Sequence, residues 1–218
     1  MGLDVQLIIE VWPLLVKGFA WTVIISLSGI VLGLVLGVLA ALGTLSPYRP
    51  LKWLAQTYVE VIRGTPFMIQ VFLIYYVLPS TGVDLPALGT GILALGLYSA
   101  AYVAEIFRGG IEAVPRGQVD SARALGMPYF TALRRIVIPQ MMGLILPPLT
   151  NHFITLVKDS SILSVITVAE VTFVGQMVIG MTFSPIEIYI ITALLYWGFN
   201  SVLAALSQRM EKNLTAYR

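Results

Sequence analysis

The chain has 218 residues, of which 58% are hydrophobic and only 11% are charged, whereas a water-soluble domain carries about 25% charged residues. A net charge of +2, no cysteine and a single histidine argue against a nucleic-acid-binding surface and against a metal site. The charges are clustered and leave long uncharged runs, on the scale of the ~20 apolar residues that a helix needs to cross a bilayer. The composition predicts an all-α integral membrane protein in one domain, residues 1–218.

Five membrane-spanning helices are predicted in chain order. Their expected ranges are 18–45, 64–82, 86–107, 136–158 and 186–208. The first run is too long for the apolar core of a signal peptide and follows acidic residues, so we expect it to be retained. Residues 159–185 are apolar enough to suggest a sixth span, but a sixth span would put the basic residues after the last span outside, against the charge rule. Glu170, Gly175, Gln176 and Gly180 also interrupt the segment. We expect short helices there that enter from the outer face and pack against protein, where broken backbone is tolerated.

The positions of Lys and Arg predict the orientation of these spans, because cytoplasmic loops are enriched in both. Most basic residues lie between the first and second spans, between the third and fourth, or after the last. These residues are Arg49, Lys52, Arg63, Arg108, Arg116, Arg123, Arg134, Arg135, Arg209, Lys212 and Arg218. Residues 78–91, between the second and third spans, include none. We therefore expect the N-terminus outside and the C-terminus inside.

The first span carries a stripe of small residues at intervals of four. Its members are Gly29, Gly33, Gly37 and Ala41. Such stripes let a second helix approach closely. We expect this one to serve packing within the bundle or against a partner subunit.

Residues 108–135 form a long cytoplasmic loop with several structural signals. Asp120 or Ser121 is suited to cap the start of a short helix, Gly126 permits a sharp turn, and Pro128 opens the next helical stretch. We expect two short helices at an angle, parallel to the membrane. A structured loop of this kind is typical of a docking surface for a soluble partner.

The same loop carries the most specific motif in the chain. It consists of Asp120-Ser121-Ala122, three residues, Gly126, nine residues, and Ile136-Val137-Ile138-Pro139. This spacing resembles the coupling-loop motif of permease subunits of bacterial ABC importers, which has Glu-Ala-Ala, three residues, Gly, nine residues and Ile-x-Leu-Pro. The departures are conservative: Asp120 for Glu, Ser121 for Ala and Ile138 for Leu. The resemblance implies ATPase coupling through Asp120, Ser121, Ala122, Gly126, Ile136 and Pro139.

Other strings resemble the subfamily that takes up polar amino acids such as histidine, glutamine, glutamate and arginine. They lie at 63–66, 104–111, 114–118, 146–151 and 158–161. The resemblance implies the type I ABC importer permease fold, with cytoplasmic coupling helices, in the bacterial cytoplasmic (inner) membrane. It also implies three protein partners beside lipid and the amino-acid substrate: a cytoplasmic ABC ATPase dimer, a second permease, identical or homologous, and usually an extracytoplasmic amino-acid-binding protein.

The sequence has no Gly-x-x-x-x-Gly-Lys-Ser/Thr phosphate loop. We therefore expect ATP and Mg²⁺ to be bound by a separate ATPase, with no cofactor and no catalytic residue in this chain. Two other classes compete with this interpretation: an ion-coupled secondary transporter and a non-transporting membrane scaffold. Secondary transporters often show internal repeats, which an unrepeated coupling loop does not match, and a scaffold leaves the coupling motif unexplained.

Polar residues at membrane depth are the candidates for substrate contact, because ionisable groups there usually face a cavity or a partner. Ser160 and Ser161 are suited to cap a half-helix whose N-terminus would bind a substrate carboxylate, while Asp159 would accept the α-ammonium. The remaining candidates are Gln70, Tyr98, Ser99 and Thr155. For these four, helix packing or a hydrogen bond between helices is the favoured interpretation.

Structural ion pairs explain other charged residues. Glu105 and Arg108 are three residues apart, and Arg63 should lie at the same depth, so we predict an ion-pair cluster there. His152 is most simply a polar residue of the bundle, because a proton relay would need partners that the sequence does not show.

The corner after the fourth span has an alternative role as an outer gate. In that role Lys158 pairs with Asp159 or with Glu170 and does not contact the substrate. Ion pairs of this kind resemble functional sites in sequence, so both interpretations stay open at this stage.

Overall fold

A computed structural model describes the backbone of residues 5–215 and the side chains of residues 6–211. Within these limits the chain is nearly all helical. The helices are α1 (Val5–Thr44), α2 (Arg49–Gly64), α3 (Phe67–Phe72), α4 (Ala87–Glu112), α5 (Arg116–Ala124), α6 (Tyr129–Ala132), α7 (Ile138–Asp159), α8 (Val171–Thr182) and α9 (Pro185–Thr215). Leu73–Val77 and Leu133–Val137 are π-helical, and Leu78–Thr81 and Ser160–Ile166 are 3₁₀ segments.

Three described helical stretches are long and apolar enough to cross a membrane. They are Gln6–Thr44, Ala87–Glu112 and Pro185–Glu211. They overlap the predicted first, third and fifth spans, although the first helix begins well before residue 18. Arg218 and the side chain of Lys212, which the orientation argument uses, lie outside the described residues.

Two bent helix pairs raise the number of candidate spans to five if each pair counts as one. Arg49–Gly64 and Phe67–Thr81 meet at a bend of 111°, and Tyr129–Ile166 and Val171–Thr182 meet at 49°. The predicted second span, 64–82, therefore corresponds to a short helical stretch after a sharp bend. Residues 49–64, expected only as part of a loop, form a helix of their own.

Helices α1 and α4 pack closely along their lengths, and the stripe of small residues lies between them. A Cβ at Gly33 would overlap the side chain of Ser99, and one at Gly37 would overlap that of Val103. The stripe therefore serves packing within this subunit, because only glycine lets the two backbones come this close.

The segment after α7 is broken into short pieces. The 3₁₀ segment ends at Ile166 and is followed by Thr167, which has a left-handed backbone with φ of 62°; α8 then begins at Val171. The Val171 N–H donates a 3.1 Å hydrogen bond to the Thr22 hydroxyl of α1. Val174 and Val178 of α8 belong to an apolar cluster with the first turns of α1. The broken segment thus packs against protein. Irregular backbone at membrane depth is tolerated only in such places, because lipid cannot satisfy its hydrogen bonds.

Candidate translocation site and coupling loop

Gln70 stabilises the bend between α2 and α3. Its buried amide nitrogen donates hydrogen bonds of 2.7 Å to the carbonyl of Ile62 and of 3.1 and 2.9 Å to the carbonyl and hydroxyl of Thr65. These acceptors lie on the opposite side of the bend, next to Pro66, which cannot donate a backbone hydrogen bond. The donors of Gln70 are already engaged, so its geometry suits the bend and not substrate contact.

An aromatic cluster lies between α4 and α7. Ser99 and His152 are both buried, and Oγ of Ser99 lies 3.0 Å from Nε2 of His152. The ring of Tyr102 stacks on His152 at 5.1 Å between centroids and 11° between planes. Tyr98 and Tyr102 share a hydroxyl–hydroxyl hydrogen bond of 3.3 Å. The Ser99 hydroxyl is thus hydrogen-bonded to another helix of the bundle, as the favoured interpretation predicts. Tyr98 contributes its ring to the same cluster.

Tyr102 belongs to this cluster although sequence reasoning did not select it. The guanidinium of Arg63 lies 5.5 Å from its ring centroid, close enough for a cation–π interaction. The available signal was its spacing of four residues from Tyr98, which places the two rings on one helix face.

The corner at residues 158–161 differs from the predicted half-helix start. The hydroxyls of Ser160 and Ser161 donate back to the carbonyls of Val157 and Lys158, each at 2.7 Å. Backbone continues from α7 directly into a 3₁₀ segment, so no free N–H groups are presented there. The half-helix instead starts at Val171. The predicted role of Ser160 and Ser161 as caps of this half-helix is therefore wrong, because a 3₁₀ segment follows α7 and Glu170 precedes the half-helix. Their contact with the substrate stays a prediction.

Glu170 is the residue that caps the half-helix. Its fully buried carboxylate accepts 2.8 Å hydrogen bonds from the N–H groups of Thr172 and Phe173 and a 3.0 Å hydrogen bond from the Tyr196 hydroxyl of α9. Among the described residues, Glu170 forms no ion pair with Lys158. The predicted Lys158–Glu170 pair is therefore wrong, since the cap and Tyr196 saturate this carboxylate.

The side chains of Lys158 and Asp159 form no hydrogen bond and no ion pair within the described part of the chain. Lys158 is exposed and lines an open cavity of about 490 Å³, with the aromatic residues Tyr196 and Trp197 and the amide of Asn200 on α9. Asp159 is half-buried at the end of α7. This corner therefore holds one cation and one carboxylate that the subunit itself leaves unpaired.

Thr155 lies on the exposed side of α7, one turn before Lys158. Its hydroxyl donates to the Asn151 carbonyl at 2.9 Å. Asn151, Thr155 and Lys158 are all exposed at helical spacing, so they form a polar stripe on α7. A polar stripe within a membrane-spanning helix usually faces a cavity or a partner rather than lipid.

The predicted cluster of Arg63, Glu105 and Arg108 is present in the structure. Arg108 binds Glu105 with hydrogen bonds of 2.5 and 2.9 Å and Glu112 with one of 2.6 Å, and Arg63 approaches Glu105 to 3.8 Å. Glu112 was missed, although it lies four residues after Arg108, a spacing that commonly supports a pair. The network links the end of α2 to the end of α4.

The coupling loop contains one short helix, α5, and a tight turn. Asp120 and Ser121 lie inside α5, which begins at Arg116 after Pro115, so their expected N-cap role is wrong. Gly126 has φ of 83°, and the N–H groups of Gly126 and Met127 donate to the carbonyls of Arg123 and Ala122 at 2.9 and 3.0 Å. This pair of hydrogen bonds is the Schellman motif, which requires a left-handed residue after the helix.

The second expected coupling helix is not separate. Helix α6 starts after Pro128 and runs through the π-helical turn into α7, so Ile136 lies within one continuous helical stretch. Pro139 stands in the first turn of α7, where its missing N–H removes an α-helical hydrogen bond to the preceding turn. A π turn accommodates that loss.

The tip of this loop exposes apolar side chains. Leu125 is 88% exposed and Phe130 is 80% exposed, whereas Ala122 is buried. Asp120 and Ser121 lie exposed on the same helix. Large apolar side chains in this position mark an interaction surface.

The bundle, its broken helix and the protruding loop define a membrane-embedded permease subunit. A family model described as "Binding-protein-dependent transport system inner membrane component" matches residues 29–216, and the chain belongs to this family. The chain is an ABC transporter permease. It is similar along nearly its whole length to known bacterial proteins.

Two relatives illustrate the similarity. The arginine transport system permease protein ArtQ of Bacillus subtilis is 35% identical over 215 residues, which is 98% of each chain. The glutamine transport system permease protein GlnP of Escherichia coli is 35% identical over 204 residues, with 93% of each chain covered.

Solved structures agree with this assignment. An amino acid ABC transporter crystallised with histidines has a TM-score of 0.91 and 38% identity, with 98% of this chain and 100% of the other covered. The MetNI methionine ABC transporter in an inward-facing conformation has a TM-score of 0.65 at 20% identity and 98% and 99% coverage, which shows a shared fold. The type I permease fold is therefore established for this chain.

Proposed function

We propose that this chain forms half of the translocation pathway of an ATP-driven importer that carries polar amino acids into the cytoplasm. The observation that carries the proposal is the Gly126 turn with its exposed tip, Leu125 and Phe130, at the end of a permease bundle. The substrate class is supported by relatives whose names specify arginine, glutamine and cystine transport.

The coupling partner is a cytoplasmic ABC ATPase dimer that binds ATP and Mg²⁺. Its contact surface on this subunit consists of Asp120, Ser121 and the apolar tip of the loop, held in place by the Schellman turn. A second permease, identical or homologous, completes the pathway, and an extracytoplasmic amino-acid-binding protein delivers the substrate. The assembly resides in the bacterial cytoplasmic membrane.

The subunit spans that membrane five times, with the N-terminus outside and the C-terminus inside. The Lys and Arg distribution supports this orientation. The chain has no cysteine, so single cysteines at Val83 and at Ala216, which lies beyond the described residues, can be labelled from each side. We expect the first to react from outside and the second from inside; reaction of both from one side would refute the five-span topology.

The substrate site is proposed at the corner formed by Lys158 and Asp159. An amino acid brings a carboxylate and an ammonium, and each costs several kcal/mol to desolvate unless an opposite charge is nearby. Asp159 is matched to the ammonium. Since Ser160 and Ser161 donate elsewhere, Lys158 takes the role of carboxylate partner, with Asn200 beside it in the same cavity.

Co-purification with the ATPase, followed by measurement of ATP hydrolysis in liposomes, tests the proposal. We expect a stable complex whose hydrolysis rises when the binding protein and its amino acid are added. Transport driven by an ion gradient without ATPase would instead support a secondary transporter. A subunit that neither binds an ATPase nor moves solute would support a scaffold.

A further inference from the structure

Helix α2 crosses the ends of the bundle helices instead of running alongside them. Ala55 lies about 9 Å along α2 from Arg49 at 1.5 Å per residue, yet its side chain meets Gly43, one residue before the end of α1. Two helices running side by side would bring Ala55 to a residue well before the end of α1. The helix also meets the following stretch at 111°. Its axis is therefore steeply inclined to α1, near the end of α1 at Thr44.

Three different faces run along α2. One face is buried against the bundle through Ala55 and Val59. A second face is apolar and uncovered: Leu54 is 62% exposed and Val61 is 55% exposed, and these two residues are seven positions apart, on the same side of the helix. This arrangement, one packed and one uncovered apolar face beside a polar face, is typical of helices that lie in a membrane interface.

The polar face of α2 has two parts: one lies beside the ion-pair network, and the other carries two cations. Gln56 and Glu60 line a small cavity with Arg63 and Glu105, next to the ion-pair network. Arg49 and Lys52, in the first turn, make no ion pair or side-chain hydrogen bond with any described residue. The first turn of α2 is therefore an unpaired cluster of two cations.

Aromatic residues flank these cations. Trp53 is 69% exposed, and Tyr48, just before the helix, is exposed as well. Exposed Trp and Tyr are enriched at the level of lipid headgroups, where the ring contacts apolar chains and the polar atom reaches water. Basic residues beside them are attracted to the anionic lipids of a cytoplasmic leaflet.

We infer that α2 is an interfacial helix that binds anionic phospholipid: Arg49 and Lys52 contact the phosphate groups, and Leu54 and Val61 contact the upper acyl chains. This inference goes beyond transport and rests on the proposed orientation, which puts α2 at the cytoplasmic ends of α1 and α4. Because the last turn of α2 carries Arg63, lipid binding at the first turn positions the cation that contacts Glu105 and Tyr102.

Spin labels test the depth of α2 in the assembled transporter. Single cysteines replace Leu54 and, as the matched control on the polar face, Gln56, in a complex whose ATPase has no reactive cysteine. We expect oxygen, which concentrates in lipid, to relax the label at residue 54, and an aqueous nickel reagent to relax the label at residue 56. Equal exposure of both labels to the aqueous reagent would overturn the inference. Protection of residue 54 from both reagents would also overturn it, because a protein partner would then cover this face.

Lipid selectivity tests the role of the two cations. Spin-labelled phosphatidylglycerol and phosphatidylcholine are compared for the fraction immobilised by the complex. We expect a preference for phosphatidylglycerol on the order of tenfold, which weakens with salt and is lost in the Arg49→Gln, Lys52→Gln double variant. The Arg116→Gln, Arg123→Gln variant removes the same charge from α5 and should retain the preference. A preference that survives the α2 substitutions, or that both double variants lose equally, would contradict binding at α2.

Discussion

The amide of Gln70 donates a 2.7 Å hydrogen bond to the carbonyl of Ile62 across the 111° bend between α2 and α3. The Gln70→Leu substitution removes the donor to the partly buried carbonyl of Ile62, and an unsatisfied acceptor costs about 1–3 kcal/mol where it is shielded from water. We expect the apparent melting temperature of the purified complex to fall by roughly 2–10 °C. Gln176→Leu makes the same chemical change at an exposed position of α8 and should have little effect. Equal melting temperatures for the two variants would contradict the role assigned to Gln70.

Substitution of Gly126 tests the coupling turn, because the new side chain would conflict only with the backbone conformation. No atom lies within 4 Å of a Cβ built at Gly126 or at Gly117, but only Gly126 has a positive φ. A β-branched residue is strongly disfavoured in that region. We expect Gly126→Val to reduce co-purification of the ATPase about tenfold, and Gly117→Val, in α5, to reduce it far less. Membrane insertion of both variants, checked by fractionation, should be unchanged; full ATPase association of Gly126→Val would contradict the assignment.

The close packing of α1 and α4 predicts that one substitution destabilises the protein and that a second substitution in the same chain partly compensates for it. Gly33→Ala places a methyl group against the side chain of Ser99, and overpacking of this kind costs about 1–3 kcal/mol. Thermal unfolding of the detergent-solubilised protein should therefore occur at a lower temperature. Ser99→Gly in the same chain removes the opposing atoms and should restore part of the loss, whereas Gly198→Ala, in open space on α9, should be neutral. A neutral Gly33→Ala variant would be incompatible with the packing described.

The uncharged runs predict α4 and α9 well, since span length and absence of charge are local properties. The bend at residues 64–67 was not predicted, because an amphipathic helix such as α2 has the composition of a polar loop. Its apolar spacing at Leu51, Ala55, Tyr58 and Ile62 was the signal available.

The partners of buried polar side chains depend on packing that sequence does not specify. Glu170 was assigned a charged partner from sequence. Its carboxylate instead caps α8 and binds Tyr196, which lies 26 residues further along the chain. Ser160 and Ser161 are good capping residues by type, but their hydroxyls also satisfy carbonyls of the preceding turn, and a 3₁₀ segment begins at Ser160 in place of a new α-helix.

Asp159→Asn separates the substrate role of the corner from a gating role. The substitution retains the side-chain shape and removes the charge that would pair with the substrate ammonium. We expect assembly and basal ATP hydrolysis to stay within about twofold, while substrate-stimulated hydrolysis falls roughly tenfold, the loss expected for a charged hydrogen bond. Asp84→Asn, in the exposed segment before α4, is the matched control and should behave as the unsubstituted protein.

A gating role gives the opposite pattern in the same sample. If Asp159 restrains Lys158 to keep the pathway closed, then loss of its charge should raise basal hydrolysis or make the liposomes leak. Unchanged transport with unchanged affinity would contradict both roles, and the search would then move to Thr155, Tyr98 and the cavity around Asn200.

ATP-driven uptake of a polar amino acid through this permease can be measured directly. The direct measurement uses proteoliposomes that contain the complex with ATP sealed inside, the binding protein outside, and radiolabelled arginine, glutamine, histidine or glutamate in turn. We expect at least one of these amino acids to accumulate inside the vesicles while ATP is hydrolysed there. The binding protein delivers the amino acid from outside, and the ATPase uses the ATP sealed inside. Vesicles with the ATPase and coupling loop facing outward should accumulate none. Uptake of all four amino acids that is independent of ATP would contradict ATP-driven import by this permease.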